Sequence, residues 1–550
     1  VDLIFGVRSK NLNLLFYMKK ITLLFSLLSI LLASCGAKPA LWGEYSTPTP
    51  KGFAPPIQAA QVAITTPTAT SNIVIEASPT ATIRPTKIPL QNTPMATQEV
   101  NTPSAFKGAT ILYYSQSGDT LDVVASHFGV DVENISSTEK LPAPYALLDP
   151  NTLLVVPDKL EETTSSEQIF PDSEVVFSAT GMDFNTLAYV AEADGYFSEY
   201  KEYLGSTGWT TGAEGIARLA EENALNPRLL IALAEYESGW ILGDSGNLSQ
   251  KDYPLGYIDT RKRGMFRQMM VAVQDLAVGY YDWRSGKLTE LTFPDGTTKR
   301  IAPDLNAGSV AMQYYFAQKL DPDRWVQAVD PRTGFPALYA ELFGDPWTRA
   351  QSVEPLFPAG LKQPDLALPF EPRQEWAYTG GPHSAWAHEG AIAALDFAPA
   401  NDFSGCAETE KWVTASASGL VVRSDRGVVM LDLDGDGNEE TGWSLLHLHI
   451  ATEGRIPLGT WVEKDDRLGQ PSCEGGVSTG THLHFARKYN GEWILADGPL
   501  PFNLDGWIAH NGEKIYEGTL TREDETIISS QVGEKRSVIF RDNPEGTEDE

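Results

Sequence analysis

The stretch Ser478–Arg487, STGTHLHFAR, sets two histidines two residues apart in an apolar run. Only a β-strand brings such positions to one face, because side chains alternate with a period of two along a strand, and a helix would turn them apart. His482 and His484 are therefore expected side by side on one sheet face, where two imidazoles can hold a metal or share a proton. Of the eight histidines in 550 residues, six lie between 383 and 484. They form three groups: His383 with His388, His447 with His449, and His482 with His484. Zinc that hydrolyses an amide takes three protein ligands and leaves one position open. Two of these histidines and Asp396 supply such a set, and the remaining imidazoles could take a proton and stabilise an oxyanion.

A chain of this length divides into several domains. Its formal charge of −31 comes with no lysine- or arginine-rich block, which leaves nucleic-acid binding without a source of phosphate neutralisation. From Met18, MKKITLLFSLLSILLASC has a basic start, a short apolar core and small residues, the pattern of a secretory signal too short to span a bilayer. Its Leu32-Ala33-Ser34-Cys35 resembles the lipobox of bacterial lipoproteins, which implies export to the cell envelope and a lipid anchor on Cys35 as the only membrane attachment. Cys406 and Cys473 then remain, an even number that suggests a disulfide in an exported chain. Residues 1–35 are thus read as upstream sequence and signal, and 36–108, rich in Pro and Thr, as an extended linker.

Residues 109–158 predict a strand, a helix through His127, a second short helical turn and a closing strand. The Ser-Gly-Asp-Thr-Leu run at 117–121 and Leu-Leu-Val-Val-Pro at 153–157 resemble a LysM module, a βααβ fold that binds N-acetylglucosamine-containing wall glycans. After a linker at 159–180, helical signals dominate 181–350. One helix opens on Asn226 and Pro227 and ends at Glu237-Ser238-Gly239. With Gly264-Met-Phe-Arg-Gln268 and Asn306-Ala-Gly308, this region resembles the lysozyme-like lytic transglycosylases. The resemblance implies that Glu237 is a glycan-cleaving acid in an apolar pocket.

The region 365–525 is strand-rich. LLHLHIATEGRIPLGTWVEKDDRLGQPSCEGGVSTGTHLHFAR resembles the core of lysostaphin-type (LytM-like) zinc peptidases, which cut peptide cross-links of peptidoglycan. The resemblance implies a mainly β peptidase domain with His484 as a zinc ligand, His482 as catalytic base and His449 as a second catalytic imidazole that stabilises the transition state. His447 falls on the family's tyrosine position, with its role open. The family's His-x-x-x-Asp pair is missing, since Ile392 stands four residues before Asp396. Asp396 remains the carboxylate ligand, and His383 is favoured over His388 as its partner because Gly-Gly-Pro-His sets a defined turn. Asp432, Asp434 and Asp436 imitate a calcium loop, but Trp443 stands where its last ligand belongs, so an acidic hairpin turn is expected. Residues 526–550 read as an acidic tail.

Together these readings describe an envelope-anchored multidomain protein: a LysM module, a mainly α lysozyme-like domain and a zinc endopeptidase acting on peptidoglycan. The alternatives are a non-catalytic wall-binding or regulatory lipoprotein with a degenerate peptidase fold, and a glycan-cleaving enzyme that uses Glu237.

Overall fold

Thr120 opens the first helix among the described residues by accepting a hydrogen bond from Val123 N, and Gly129 closes it at φ 62°. This is the ordinary chemistry of a short capped helix. The computed structural model describes residues 108–386, 390–400 and 405–542, all within one unit, Gln98–Glu550. Cys35, the signal and most of the Pro/Thr-rich segment lie outside the described residues, as does His388.

The module at 109–158 has strand β1 (Thr110–Tyr114), helix α1 (Leu121–Phe128), a 3-10 turn (Val132–Asn134) and strand β2 (Leu153–Pro157), which pairs antiparallel with β1. Tyr113, Val124, Phe128, Leu154 and Val156 form its core. His127 is buried where the module meets the helical region. Its ring stacks on Trp283 at 3.5 Å, and Nε2 lies 3.0 Å from the Trp283 carbonyl oxygen.

In the helical region, α2 (Gly212–Asn223) and α3 (Pro227–Ser238) precede the long α4 (Met265–Arg284) and α5 (Ala307–Ala317). α3 begins and ends as the sequence predicts, with Asn226 as its cap, Pro227 in its first turn and Gly239 left-handed after it. α4 and α5 cross closely at Gly279, where a Cβ would lie 2.9 Å from Ala311 Cα. The region begins earlier than the composition suggests. Residues assigned to a linker, Ile169, Phe170, Val175 and Val176, are buried in the helical core because apolar side chains resume right after the polar run that ends at Gln168.

The remaining chain builds a nine-stranded sheet. Its main strands are β3 (Glu375–Ser384), β4 (Ile392–Pro399), β5 (Gly419–Asp425), β6 (Val428–Asp432), β7 (Trp443–Leu448) and β8 (Leu483–Tyr489), in the spatial order β5-β6-β7-β8-β4-β3. All these pairs are antiparallel. Alternation splits the side chains between two cores: Leu445, Leu483, Phe485 and Phe397 face one, and Leu446, Ala486 and Ala394 face the helical region. A second, four-stranded sheet includes β9 (Trp507–Asn511), β10 (Gly518–Arg522) and β11 (Glu525–Ile528). The tail reading is corrected here. β11 and a further strand, β12 (Val538–Phe540), which pairs with β3, carry residues 526–540 into the fold because Ile527 and Ile539 are buried apolar residues among the charges.

Arg284 ties the helical region to the sheet. Its guanidinium lies 3.0 Å from both Asp172 Oδ2 and Glu492 Oε2, with all three side chains at least nine-tenths buried. Among the described residues no helix is long and apolar enough to cross a membrane.

Candidate metal and catalytic centre

Strands β3, β4 and β8 bring three predicted ligands together. Asp396 and His484 are direct cross-strand partners on β4 and β8, and His383 of β3 pairs with Ala394 across the opposite edge of β4. His383 Nε2 and His484 Nδ1 lie 3.2 and 3.3 Å from Asp396 Oδ1 and 3.0 Å from each other. The His-Asp spacing that departed from the family pattern is absorbed by the β3–β4 hairpin. Its ladder shifts register three times between Tyr378 and Ser384. Gly380 and Gly381 do not form the turn expected of them, since both lie within β3. They permit close approach instead. A Cβ on Gly380 would lie 2.5 Å from Asp396 Oδ2, and one on Gly381 would lie 2.5 Å from the Glu517 backbone.

Backbone carbonyls fix the tautomers. His383 Nδ1 lies 2.8 Å from Gly381 O, and His484 Nε2 lies 2.8 Å from Ala385 O, so each of these nitrogens carries the proton. The other nitrogen of each ring then turns a lone pair toward Asp396 Oδ1, itself buried without a hydrogen-bond partner. Two imidazole acceptors and a carboxylate oxygen facing one point repel one another unless a metal cation or a proton stands among them. The donor set, two nitrogens and one oxygen, is one that zinc takes. Burial opposes the charged ring of His383, but the Asp396 carboxylate outweighs it and holds its pKa above the ordinary value. Burial also works against the Asp396 charge, and the surrounding imidazoles more than offset it, so its pKa lies well below the usual range. His484 is shifted downward, by burial first.

His482 Nε2 lies 3.7 Å from Asp396 Oδ1, and its Nδ1 is 2.7 Å from Gly480 O. The rings of His482 and His449 are 4.5 Å apart. His449 sits at φ 70°, a left-handed backbone uncommon outside glycine and asparagine. That twist follows the end of β7 and frees His449 from the face that His447 occupies. Its Nδ1 lies 2.9 Å from Glu474 O, and burial lowers its pKa to about 3. Both rings therefore turn an Nε2 acceptor to the centre. His449, read from the sequence as the oxyanion stabiliser, is an acceptor as it stands and becomes a donor there only as imidazolium.

His447 lies outside the centre. It is fully buried with no hydrogen-bond partner on either ring nitrogen, packed 4.8 Å from Phe485. The predicted disulfide is formed, and Cys406 Cα is 5.6 Å from Cys473 Cα. It ties together the two loops that position the rings of His482 and His449. Gly405 O accepts from Thr481 N, next to His482, and Glu474 O holds His449. The sequence reading missed Tyr516, whose ring stacks on His383 at 4.1 Å. It arrives on the β9–β10 loop, 133 positions after its partner, with no local pattern to mark it.

Glu237 stands apart from this centre. Its Oε1 accepts from Tyr315 OH at 2.8 Å and is ion-paired with Lys319. The side chain thus sits in an ion pair and a hydrogen bond, where the reading from the sequence asked for an apolar pocket. The other two motifs of the region bear structure. Gln268 is held by backbone groups of Tyr257 and Lys262, and Asn306 by Phe170 O and Asp172. The three aspartates at 432–436 form a hairpin turn between β6 and β7. Asp432 there accepts from Gly437 N at 2.8 Å, although the three carboxylates also lie close enough for a cation.

The family model described as the LasA N-terminal domain matches residues 168–356, the helical region. Protease LasA of Pseudomonas aeruginosa is 25% identical over 292 residues, 50% of this chain and 65% of that protein. The chain resembles the LasA-type M23 metallopeptidases. Because the first LasA matches cover 65% of those proteins, the chain spans a little under two thirds of their length. Beta-lytic metalloendopeptidase of Achromobacter lyticus is 27% identical over 135 residues, 24% of this chain and 35% of that protein. Among solved structures, the M23 metalloprotease Pseudoalterin from the deep sea is 21% identical, with 31% of this chain and 96% of that one covered and a TM-score of 0.26. The LasA-like helical region is the one whose motifs suggested a lysozyme-like fold.

Proposed function

We propose that the chain is a zinc-dependent endopeptidase of peptidoglycan that cuts peptide stems or cross-links. The observation that carries this reading is the buried, unpartnered Asp396 Oδ1 faced by lone pairs of His383 and His484. The LasA and beta-lytic relatives support a peptidase, and the lysostaphin-like residues of β7 and β8 support the wall as its target.

His383, Asp396 and His484 would hold the zinc, which when bound supplies a Lewis acid for the scissile carbonyl and for water. His482, its Nδ1–H held by Gly480 O, keeps Nε2 free to take the proton of the attacking water. The protonated ring then has a donor facing the centre, able to stabilise the developing oxyanion or to return the proton to the leaving amine. His449, 4.5 Å from His482, shares this role of acceptor and then donor. Tyr516 shields one face of His383 and fixes its ring plane. The module at 109–158 holds wall glycan, and Cys35 anchors the exported chain to the envelope.

The test is to load the purified protein with zinc and digest peptidoglycan while following both free amino groups and new sugar ends. Amino groups released by wild type and lost in His482→Ala support the peptidase. Sugar ends lost in Glu237→Gln would move the chemistry to the helical region, and release of neither product would leave a binding protein.

A further inference from the structure

A cleft of about 530 Å³ opens where the module, the end of α4 and the peptidase sheets meet. It lies within the 300–1,000 Å³ span of sites that hold organic ligands. Its module wall carries Tyr145, 69% exposed, and Asp122. The α4 end contributes Lys287, and the peptidase side contributes Ile392, Asp497 and Asn511. Two of these positions adjoin the metal centre. Ile392 is the cross-strand partner of Ser384, the residue after His383. Asn511 pairs with Gly518, where a Cβ would lie 2.6 Å from Pro382 Cδ, the residue before His383.

The chemistry of the walls selects the ligand. An exposed aromatic ring and an aliphatic side chain meet amide and carboxylate groups, which suits a molecule with apolar ring faces and a rim of hydroxyls and amides. An anionic polymer is disfavoured, because the lining holds Asp122, Asp282 and Asp497 beside Lys287, while Arg284 is already held by Asp172 and Glu492. We propose that this cleft is a saccharide subsite shared by the module and the peptidase region, which seats an uncharged N-acetylated sugar chain alongside the metal centre. Taking the sugar as wall glycan rests on the peptidoglycan reading. A glycan held there would place its peptide branches near His383 without needing a separate, mobile binding domain.

The test is calorimetric titration of the intact chain with a tetramer of N-acetylglucosamine, beside Tyr145→Ala on the module wall and Asn511→Ala on the peptidase wall. Unaltered circular dichroism and thermal midpoint serve as the folding control. The shared subsite requires binding by wild type and at least tenfold weaker binding in each variant. No binding by wild type overturns it, as does weakening by Tyr145→Ala alone, which would confine the sugar to the module. Tighter binding of a sugar-free stem peptide, weakened by both variants, would make the cleft a peptide site and also overturn it. Failure of the peptidase reading shows separately, as absent hydrolysis of that same peptide by the zinc-loaded wild type.

Discussion

Asp396→Asn tests the metal centre with the least change of shape, because the carboxamide keeps the volume that Gly380 leaves open. It removes the one negative charge among three donors lying within 4.8 Å of one another. A group that only supports a metal ligand from behind contributes roughly 10–100-fold in affinity. Asp396 faces the centre directly, so the upper end of that range is the least expected of it. At a free zinc concentration 100 times the wild-type Kd, binding stabilises the native state by about 2.7 kcal/mol. With Kd raised 100-fold, the same zinc contributes RT ln 2, about 0.4 kcal/mol. The assay is urea denaturation with and without zinc, and the quantity read is each protein's own difference. Any change that the substitution makes to the metal-free protein cancels in that difference. A gain from zinc more than 2 kcal/mol smaller in Asp396→Asn is the expected result. Equal gains would refute the assignment of Asp396 as a ligand, and no gain in wild type at any zinc concentration would refute the site.

Gly380→Ala places a Cβ 2.5 Å from Asp396 Oδ2, so it is expected to displace the carboxylate and lose zinc, read by elemental analysis, while circular dichroism stays native. Cys406→Ser opens a loop of 67 residues and is expected to cost up to about 4 kcal/mol in the chain-entropy account, read by urea denaturation under oxidising conditions. The same variant should broaden the His449 and His482 resonances, whose loops the disulfide joins. His127, held neutral by burial with a pKa lowered to about 3, makes the native state refuse a proton that the unfolded chain binds below about 6.5. Stability should therefore fall as pH drops from about 6.5 toward 3, by at most about 1.4 kcal/mol per unit for this residue, and His127→Phe should show a shallower slope in denaturation midpoints across that range.

The β-strand period made half of the centre legible. His482 and His484 do face one point, because alternation is set by backbone geometry and survives any tertiary context. The capped helix at Asn226–Gly239 was legible for a similar reason, since its start and stop signals are local. His383 was harder. Its distance from Asp396 along the chain says nothing by itself, since three register shifts in one hairpin decide which residues meet, and shifts are a property of both strands. His447 illustrates the converse. It shares the His-x-His spacing with His449, but the left-handed backbone at His449 ends the alternation, and the two rings part company: one enters the centre, and the other is buried beside Phe485. Glu237 was legible as a helix-terminal acid but its neighbour was not, because Lys319 lies 82 positions away and only the fold brings the chain just after α5 to the end of α3. A motif can name the residue that would carry a charge, but whether that charge is exposed, neutralised or left waiting for a cation is decided by partners distant in sequence. That is why the same chain holds a carboxylate satisfied by a lysine in one region and an unpartnered one at the centre of three imidazoles in another.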